Sequence, residues 1–277
     1  NLSSKKNFNI KTICIGNINT GGTGKTSLTI EINKILGKRF KTIFIKKKYK
    51  NQIDEFTLLK ENGNIISEKT RVNSLLKAEK RRFKIALLDD GLQQKNINYD
   101  LKIVCFNSSE GIGNGFLLPA GPLRESSNKL KDYDIAFLNG QKKNHKLFSK
   151  IKSINTEIEI FEGKYEPTNL KTFDRKKKYF MFCGIGNPNE FENTLREHNF
   201  KVKEKIIFED HHKIPFNELQ NIKSIAKKKG LILITTEKDY LRIEKKNRKN
   251  IKFLRVGLKI KGLKKFKNLL LSKIWKD

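Results

Sequence analysis

The chain has 277 residues, with 60 Lys and Arg against 29 Asp and Glu, which gives a formal net charge of +31. No apolar run in it approaches the roughly 20 residues needed to cross a bilayer, and no secretory signal is visible in these residues. The lysines are scattered through amphipathic segments with many Asn and Ile, which indicates a general bias in residue usage, so we expect no specific nucleic acid partner. Cys14, Cys105 and Cys183 each lie in an apolar run without metal-ligand spacing, which predicts structural thiols in a reduced, cytoplasmic protein.

The first predicted strand, residues 10–16, leads into the loop NTGGTGKTS and a helix predicted for Lys25–Leu36. Such a loop points several backbone N–H groups into one concavity, and the positive end of the helix dipole makes this concavity suitable for a phosphate. Lys25 would reach the terminal phosphates, and the Thr26 hydroxyl would bind Mg²⁺. Asn19 departs from the strict P-loop pattern, which has glycine there, and a glycine-rich turn without a ligand is the alternative. The predicted nucleotide-binding residues are Asn19, Thr20, Gly21, Gly22, Thr23, Gly24, Lys25, Thr26 and Ser27.

Further strands are predicted near residues 41–46, 84–89, 102–106 and 133–138, and residues 158–170 are expected to form an extended connector. A second unit has predicted strands near 178–183, 201–208, 231–235 and 252–256, with helices near 188–198, 216–228 and 261–275. This order predicts an α/β fold, with a P-loop nucleoside triphosphate hydrolase-like, mostly parallel sheet and a second, smaller α/β domain. We expect the first domain to span 1–165 and the second to span 166–277. The last helix has one apolar side and could lie on a membrane, although packing on its own domain is favoured.

Two acids lie at the end of the strand predicted near residues 84–89. In P-loop proteins the strand beside the phosphate loop commonly ends in an acid that orients Mg²⁺ or its water shell, which suggests this role for Asp89 and Asp90. A turn that uses Asp and Gly for conformational reasons alone is the alternative. Farther along, Arg124 follows a loop rich in Gly and Pro, where its guanidinium could reach a transferred phosphoryl group.

Six segments occur in the order seen in the tetraacyldisaccharide 4′-kinases of lipid A synthesis: GNINTGGTGKT, LLDDGLQ, GNGFLLPAGPLRE, FCGIGNP, FEDHH and ITTEKD. The chain resembles this family from about Cys14 to Asp239. The resemblance implies a peripheral kinase on the cytoplasmic face of the bacterial inner membrane. It would use ATP and Mg²⁺ to phosphorylate the 4′-hydroxyl of a tetraacylated disaccharide 1-phosphate.

The resemblance also implies roles for individual residues. Lys25 and Arg124 would stabilise phosphate charge, and the metal positions would be Thr26, Asp89, Asp90 and Glu125. Asp54, in QIDEFTLL, takes the place of the catalytic base, although Ile53 and Phe56 replace the flanking Gly and Pro of the family. His211 would assist this base, with Asp210 fixing the imidazole.

Three positions on the expected substrate side can be compared with the family. Lys47–Gln52 is a shortened, lysine-rich stretch where the family usually has serine–arginine–glycine–tyrosine–glycine, Gln94 replaces a usual histidine, and Arg71 matches an arginine of the substrate side. The family normally carries an apolar N-terminal helix, so we expect the natural protein to be longer than a chain that begins at Asn1. The positive charge would favour an anionic membrane surface and a phosphorylated lipid.

A switch protein is the alternative function. Partitioning-type and metallochaperone-type ATPases share the GGTGKT pattern, but they place a signature lysine immediately before the double glycine, where this chain has Thr20. ATP turnover that is independent of lipid and stimulated by a protein or DNA would favour this class.

Overall fold

The computed structural model describes residues 5–47, 53–140, 143–210, 212 and 214–275. The chain forms two compact units, the first made of Asn1–Lys48, Leu59–Tyr165 and Leu258–Asp277, and the second of Tyr49–Leu58 and Glu166–Gly257. These units differ from the predicted division at 165/166 in two places, because residues 49–58 belong to the second unit and residues 258–277 to the first.

The helices and strands alternate along most of the chain. In order they are β1 Lys11–Gly16, α1 Lys25–Leu36, β2 Thr42–Ile45, α2 Ile53–Asn62, β3 Ile65–Ile66, α3 Arg71–Lys80, β4 Ile85–Asp89, β5 Leu101–Asn107, β6 Ile135–Asn139, α4 His145–Ile154 and β7 Glu159–Pro167. They continue with β8 Lys178–Cys183, α5 Pro188–Glu197, β9 Lys201–Ile207, α6 Phe216–Lys228, β10 Ile232–Thr236, α7 Glu237–Arg242, β11 Ile251–Leu254, β12 Val256–Ile260 and α8 Leu263–Ile274. None of the helices in the described ranges is both long and apolar enough to cross a membrane.

The larger sheet has the strand order β12-β7-β6-β5-β1-β4-β2-β3 in the described part of the chain. All of the pairs from β7 to β3 are parallel. Strand β1 lies inside the sheet between β4 and β5, and its residues Ile13, Cys14 and Ile15 are fully buried, as expected for a parallel strand covered on both faces. Because the strands are parallel, the loops that follow β1, β2 and β4 leave the sheet at the same edge.

The second unit has a smaller parallel sheet with the order β11-β10-β8-β9. Its core includes the rings of Phe173, Tyr179 and Phe200, which pack edge to face with centroid distances of 5.1–6.3 Å. Helix α5 begins with an Asn187 side chain that accepts a hydrogen bond from the backbone of Glu190, and Pro188 follows in the first turn. The predicted α/β fold with a smaller second α/β unit is therefore confirmed.

Two segments differ from their predictions. Residues 159–167, inside the expected extended connector, form β7 of the larger sheet. Helix α8 packs by its apolar side, as favoured, but on the first unit: the Phe266 ring lies 6.0 Å from that of Phe137 and 4.9 Å from that of Phe161. The single apolar stripe of α8 predicts burial without specifying which sheet covers it.

The three cysteines are buried in β1, β5 and β8, as the apolar runs predict. Burial raises the pKa of Cys14 and of Cys183 to about 12, so both remain protonated thiols at neutral pH. Structural packing is thus their role in the described structure.

Candidate active site

The loop between β1 and α1 has the geometry of a phosphate-binding loop. Helix α1 begins after Gly24, which is in the left-handed conformation (φ +82°), and its first turn contains no acidic residue. No side chain in the described part of the chain caps the first backbone N–H groups of α1, and a phosphate is the type of group that satisfies them. Three buried polar atoms around this loop also have no hydrogen-bond partner among the described residues: Asn19 Oδ1, Thr23 Oγ1 and Asn139 Oδ1.

Both the left-handed backbone and the close side chains around position 24 require glycine there. A Cβ atom at this position would lie 1.8 Å from Asn139 Nδ2 and 2.6 Å from the Tyr165 hydroxyl. Asn139 Nδ2 donates a hydrogen bond to that hydroxyl at 2.9 Å and approaches the Thr23 carbonyl oxygen at 3.5 Å. The ends of β6 and β7 thus support the phosphate loop from one side.

Asn19 anchors the loop on another side. Its Nδ2 donates to the Gly111 carbonyl oxygen at 2.9 Å, and its own carbonyl oxygen accepts from Asn17 Nδ2 at 2.6 Å. The Thr20 backbone N–H donates to the Pro122 carbonyl oxygen at 2.8 Å. A glycine at position 19 would lack the first of these bonds, which gives a physical reason for the departure from the strict P-loop pattern.

Asp89 lies beneath the loop and is fully buried. Its Oδ2 accepts a hydrogen bond from the Thr26 hydroxyl at 3.0 Å and lies 2.7 Å from Lys46 Nζ, while its Oδ1 has no partner among the described residues. An orphaned carboxylate oxygen beside a hydroxyl is an oxygen donor set of the kind that Mg²⁺ prefers. Thr26 and Asp89 therefore fit the predicted metal position.

Asp90 joins the two cations that the sequence predicts for phosphate binding. Its Oδ1 lies 3.0 Å from Arg124 Nη1 and 4.0 Å from Lys25 Nζ, and the same Arg124 nitrogen donates to Asn17 Oδ1 at 3.0 Å. Burial opposes ionisation of this carboxyl, but the charges of Lys25 and Arg124 outweigh it and hold the pKa of Asp90 below its ordinary value. The structure thus brings Lys25, Asp90 and Arg124 together.

The backbone at Asp90 is held in an uncommon conformation. Its φ of +57° is left-handed, a region that Asp adopts more readily than most residues. The Asp90 N–H donates to the Ile15 carbonyl oxygen at 2.8 Å, and Arg71 Nη2 donates to the Asp90 carbonyl oxygen at 2.5 Å. Gln94 Oε1 in turn accepts from Arg71 Nη1 at 3.4 Å. Arg71, predicted on the substrate side, supports the turn that carries the acid.

Glu125 lies in a polar cluster of its own. Its Oε2 accepts hydrogen bonds from Gln93 Nε2 at 2.9 Å and from the Tyr133 hydroxyl at 3.3 Å. Gln93 Nε2 also donates to the Asn17 carbonyl oxygen at 2.9 Å, so this cluster touches the start of the phosphate loop. A role of Glu125 as a metal ligand stays a prediction.

Asp54 belongs to the second unit and is buried in the first turn of α2. Its Oδ2 lies 2.9 Å from Arg242 Nη2, and its Oδ1 has no partner among the described residues. Arg242 Nη1 also pairs with Asp239 Oδ1 at 2.8 Å, and burial raises the pKa of Asp239 despite the Thr236 hydroxyl and this guanidinium. One arginine therefore holds two buried carboxyl groups.

The FEDHH segment is described only in part. His211, the predicted partner of Asp54, lies outside the described residues. Asp210 is exposed at a turn. His212 stacks on Phe208 with ring centroids 4.9 Å apart, and its Nε2 lies 3.3 Å from Glu218 Oε2. Of the predicted Lys47–Gln52 stretch, residues 48–52 also lie outside the described part of the chain.

Two residues that contact the phosphate loop or Asp89 were not predicted from the sequence. Lys46 follows the buried strand TIFI, and Asn139 ends the buried strand IAFLN. A polar residue at the end of a buried parallel strand, or directly after it, lies at the ligand edge of the sheet, and this signal could have identified both.

A phosphate loop at the carboxyl edge of a parallel sheet, with Thr26 and Asp89 in contact, defines a P-loop nucleotide-binding protein. The sequence model of the LpxK family, tetraacyldisaccharide-1-phosphate 4′-kinase, matches residues 1–275. The tetraacyldisaccharide 4′-kinase of Pelagibacter ubique is 45% identical over 98% of this chain and 88% of that protein, and that of Rickettsia akari is 33% identical over 96% and 84%. The chain belongs to the tetraacyldisaccharide 4′-kinase family.

A solved structure has the same fold. The crystal structure of the "apo" form of LpxK from Aquifex aeolicus in complex with ATP matches with a TM-score of 0.72 over 98% of this chain and 91% of that chain, at 21% sequence identity. This likeness confirms the fold class, and the family membership confirms the resemblance found in the six sequence segments.

Proposed function

We propose that this chain transfers the γ-phosphoryl group of ATP to the 4′-hydroxyl of a tetraacyldisaccharide 1-phosphate in lipid A synthesis. Family membership supports this substrate class. The observation that supports the proposal is the hydrogen bond from the Thr26 hydroxyl to the buried Asp89 near the uncapped N-terminus of α1, because this arrangement is typical of sites that bind a nucleoside triphosphate and its metal.

The phosphate loop, Asn19–Ser27, would bind the triphosphate through its backbone N–H groups. Lys25 and Arg124, which share Asp90 as a counterion, would bind the phosphate oxygens as negative charge shifts toward the leaving group. Thr26 and Asp89 would hold Mg²⁺, and the bound ion would supply charge neutralisation at the phosphates. We propose Asp90 and Glu125 as further metal-binding residues.

Asp54 would accept the proton of the attacking hydroxyl. Arg242 holds Oδ2 of this carboxylate, so the unpartnered Oδ1 is the oxygen that we assign to the proton. A positioned carboxylate suits this step, since the hydroxyl loses its proton as its oxygen bonds to the γ-phosphorus. We propose that His211 and Asp210 assist Asp54.

We further propose that the protein works as a peripheral protein on the cytoplasmic face of the bacterial inner membrane. The net charge of +31 favours an anionic lipid surface and a phosphorylated lipid substrate. We propose no specific nucleic acid partner for this function.

Acceptor-dependent ATP turnover tests the proposal. With γ-labelled ATP, the full chain should transfer the label to the disaccharide 1-phosphate. ATP turnover should depend on this lipid, and neither DNA nor protein should replace it. Lys25→Met should reduce the rate of phosphoryl transfer by about 10²-fold or more, because this lysine stabilises the negative charge of the phosphate oxygens during transfer. Lys34→Met is the matched control on the same helix, where Lys34 forms an exposed pair with Glu31, and it should leave the rate unchanged. ATP turnover without lipid labelling would refute the proposal.

A further inference from the structure

Eight consecutive residues of the first unit are exposed and uncharged. They are residues 113–120, GNGFLLPA, in a chain in which 32% of the residues are charged. Three large apolar side chains stand next to each other in this segment, with 63% of Phe116, 48% of Leu117 and 56% of Leu118 exposed. Single exposed apolar residues are ordinary, whereas neighbouring exposed apolar side chains form the kind of patch that marks a binding surface. We call residues 113–120 the apolar loop.

Hydrogen bonds hold the backbone of the apolar loop in one conformation. Asn114 Nδ2 donates to the Ala120 carbonyl oxygen at 2.9 Å, and the Leu118 N–H donates to the Leu123 carbonyl oxygen at 2.9 Å. The Leu123 N–H donates in return to the Phe116 carbonyl oxygen at 3.1 Å. The three apolar side chains are therefore presented outward by a bonded backbone.

The same segment is attached to the phosphate loop. The residues that follow the apolar loop form backbone hydrogen bonds with residues 18–20. The Thr20 N–H donates to the Pro122 carbonyl oxygen at 2.8 Å, and the Arg124 N–H donates to the Ile18 carbonyl oxygen at 2.6 Å. A surface that binds the apolar loop is thus held close to the phosphate loop.

We propose that the apolar loop docks on an anionic bilayer, with Phe116, Leu117 and Leu118 inserted at the boundary between headgroups and acyl chains. The charge of the chain selects this partner, because a net charge of +31 repels a second copy and attracts an anionic lipid surface. The purpose of the docking rests on the proposed function, since a kinase that acts on a lipid headgroup needs its phosphate loop at the membrane surface.

Vesicle flotation tests the docking without ATP or substrate. The chain should bind mixed phosphatidylglycerol and phosphatidylcholine vesicles, and the triple variant Phe116→Ser, Leu117→Ser, Leu118→Ser should bind about tenfold or more weakly, because each of these side chains gains from leaving water. Phe216→Ser and Leu263→Ser are matched controls at exposed apolar positions, 57% and 50% exposed, and should bind within about twofold of the wild type. Equal binding by the triple variant would overturn the proposal.

A fluorescent probe covers the case in which the triple variant fails to fold. Trp275 is the single tryptophan of the chain, so Phe116→Trp in a Trp275→Phe background places one indole on the apolar loop. Its emission should shift to the blue on vesicle addition and be quenched by lipids with brominated acyl chains. No shift, or a shift that depends on protein concentration without vesicles, would overturn bilayer docking, the latter in favour of self-association. Because neither assay requires catalysis, an inactive chain that still docks would refute only the proposed function.

Discussion

Lys46 and Asp89 form a buried ion pair, with 2.7 Å between Nζ and Oδ2 and side-chain exposures of 2% and 0%. They meet because β2 and β4 are parallel neighbours in which Ile45 lies opposite Leu88, so the next residue of each strand reaches the same edge of the sheet. The carboxylate that we assign to the metal position is therefore balanced by a cation of the protein itself.

We expect Lys46→Met to destabilise the chain by about 3–5 kcal/mol, because it leaves the charge of Asp89 buried without its cation. Urea unfolding measures this change. Lys34→Met removes an exposed pair with Glu31 and should cost no more than about 1 kcal/mol. The double variant Lys46→Met, Asp89→Asn should recover part of the loss. Equal stabilities of Lys46→Met and Lys34→Met would contradict the buried pair.

The stability contributed by Asp90 should depend on pH. Lys25 and Arg124 hold its pKa low against the effect of burial, so its contribution is complete above the unfolded pKa of about 3.9 and is lost as the pH falls toward the lower folded value. The difference in unfolding free energy between wild type and Asp90→Asn should therefore shrink below about pH 4. Asparagine also tolerates the left-handed backbone at this position, so the comparison isolates the charge. A difference that stays constant with pH would disagree with the pairing.

Two glycines of the phosphate loop should respond differently to alanine. Gly24→Ala places a Cβ against Asn139 in a left-handed backbone and should cost about 2 kcal/mol or more of stability. Gly22 has open space around its Cβ position and no left-handed backbone, so Gly22→Ala should stay within about 0.5 kcal/mol of the wild type. Thermal unfolding of the two variants measures these stabilities. A larger loss for Gly22→Ala than for Gly24→Ala would show that the loop has another conformation.

Arg242 should affect phosphoryl transfer without affecting ATP binding. Arg242→Lys keeps the charge but cannot hold Asp54 and Asp239 with one planar group, so the Asp54 carboxylate loses its orientation. We expect single-turnover transfer to fall by about 10²-fold, while the Kd for ATP is unchanged. Arg255→Lys, whose pair with Glu237 is more exposed, is the control within the same unit. A loss of ATP affinity that accounts for the whole effect would exclude this positioning role.

The phosphate loop and the two acids at the end of β4 could be predicted because their signals are local. Glycines, a lysine and a threonine at fixed spacing after an apolar strand specify the loop, and Asp89 follows from the same pattern in a second strand. The contact between Thr26 and Asp89 needs only the rule that parallel strands end at one edge. The pairing of Lys46 with Asp89 depends in addition on the strand order, which no local pattern of TIFIK reveals.

The prediction failed where sheet membership depends on distant residues. Strand β7 contains Glu159, Glu162 and Lys164 among its apolar residues, and this pattern predicts a solvated connector. Its pairing with β6 and β12 makes it a strand of the sheet. Helix α8 follows the second unit in sequence, yet its Phe266 finds its aromatic partners on β6 and β7 of the first. In both cases the tertiary partner, and not the local pattern, determines the outcome.

The position of the new phosphate on the lipid product tests the central claim most directly. Phosphorus NMR of the product made by the full chain from ATP and the disaccharide 1-phosphate should show the original 1-phosphate and a second phosphate monoester coupled to the proton on carbon 4′. Release of the γ-phosphate into water with an unchanged lipid, or a phosphate on any other hydroxyl, would contradict it.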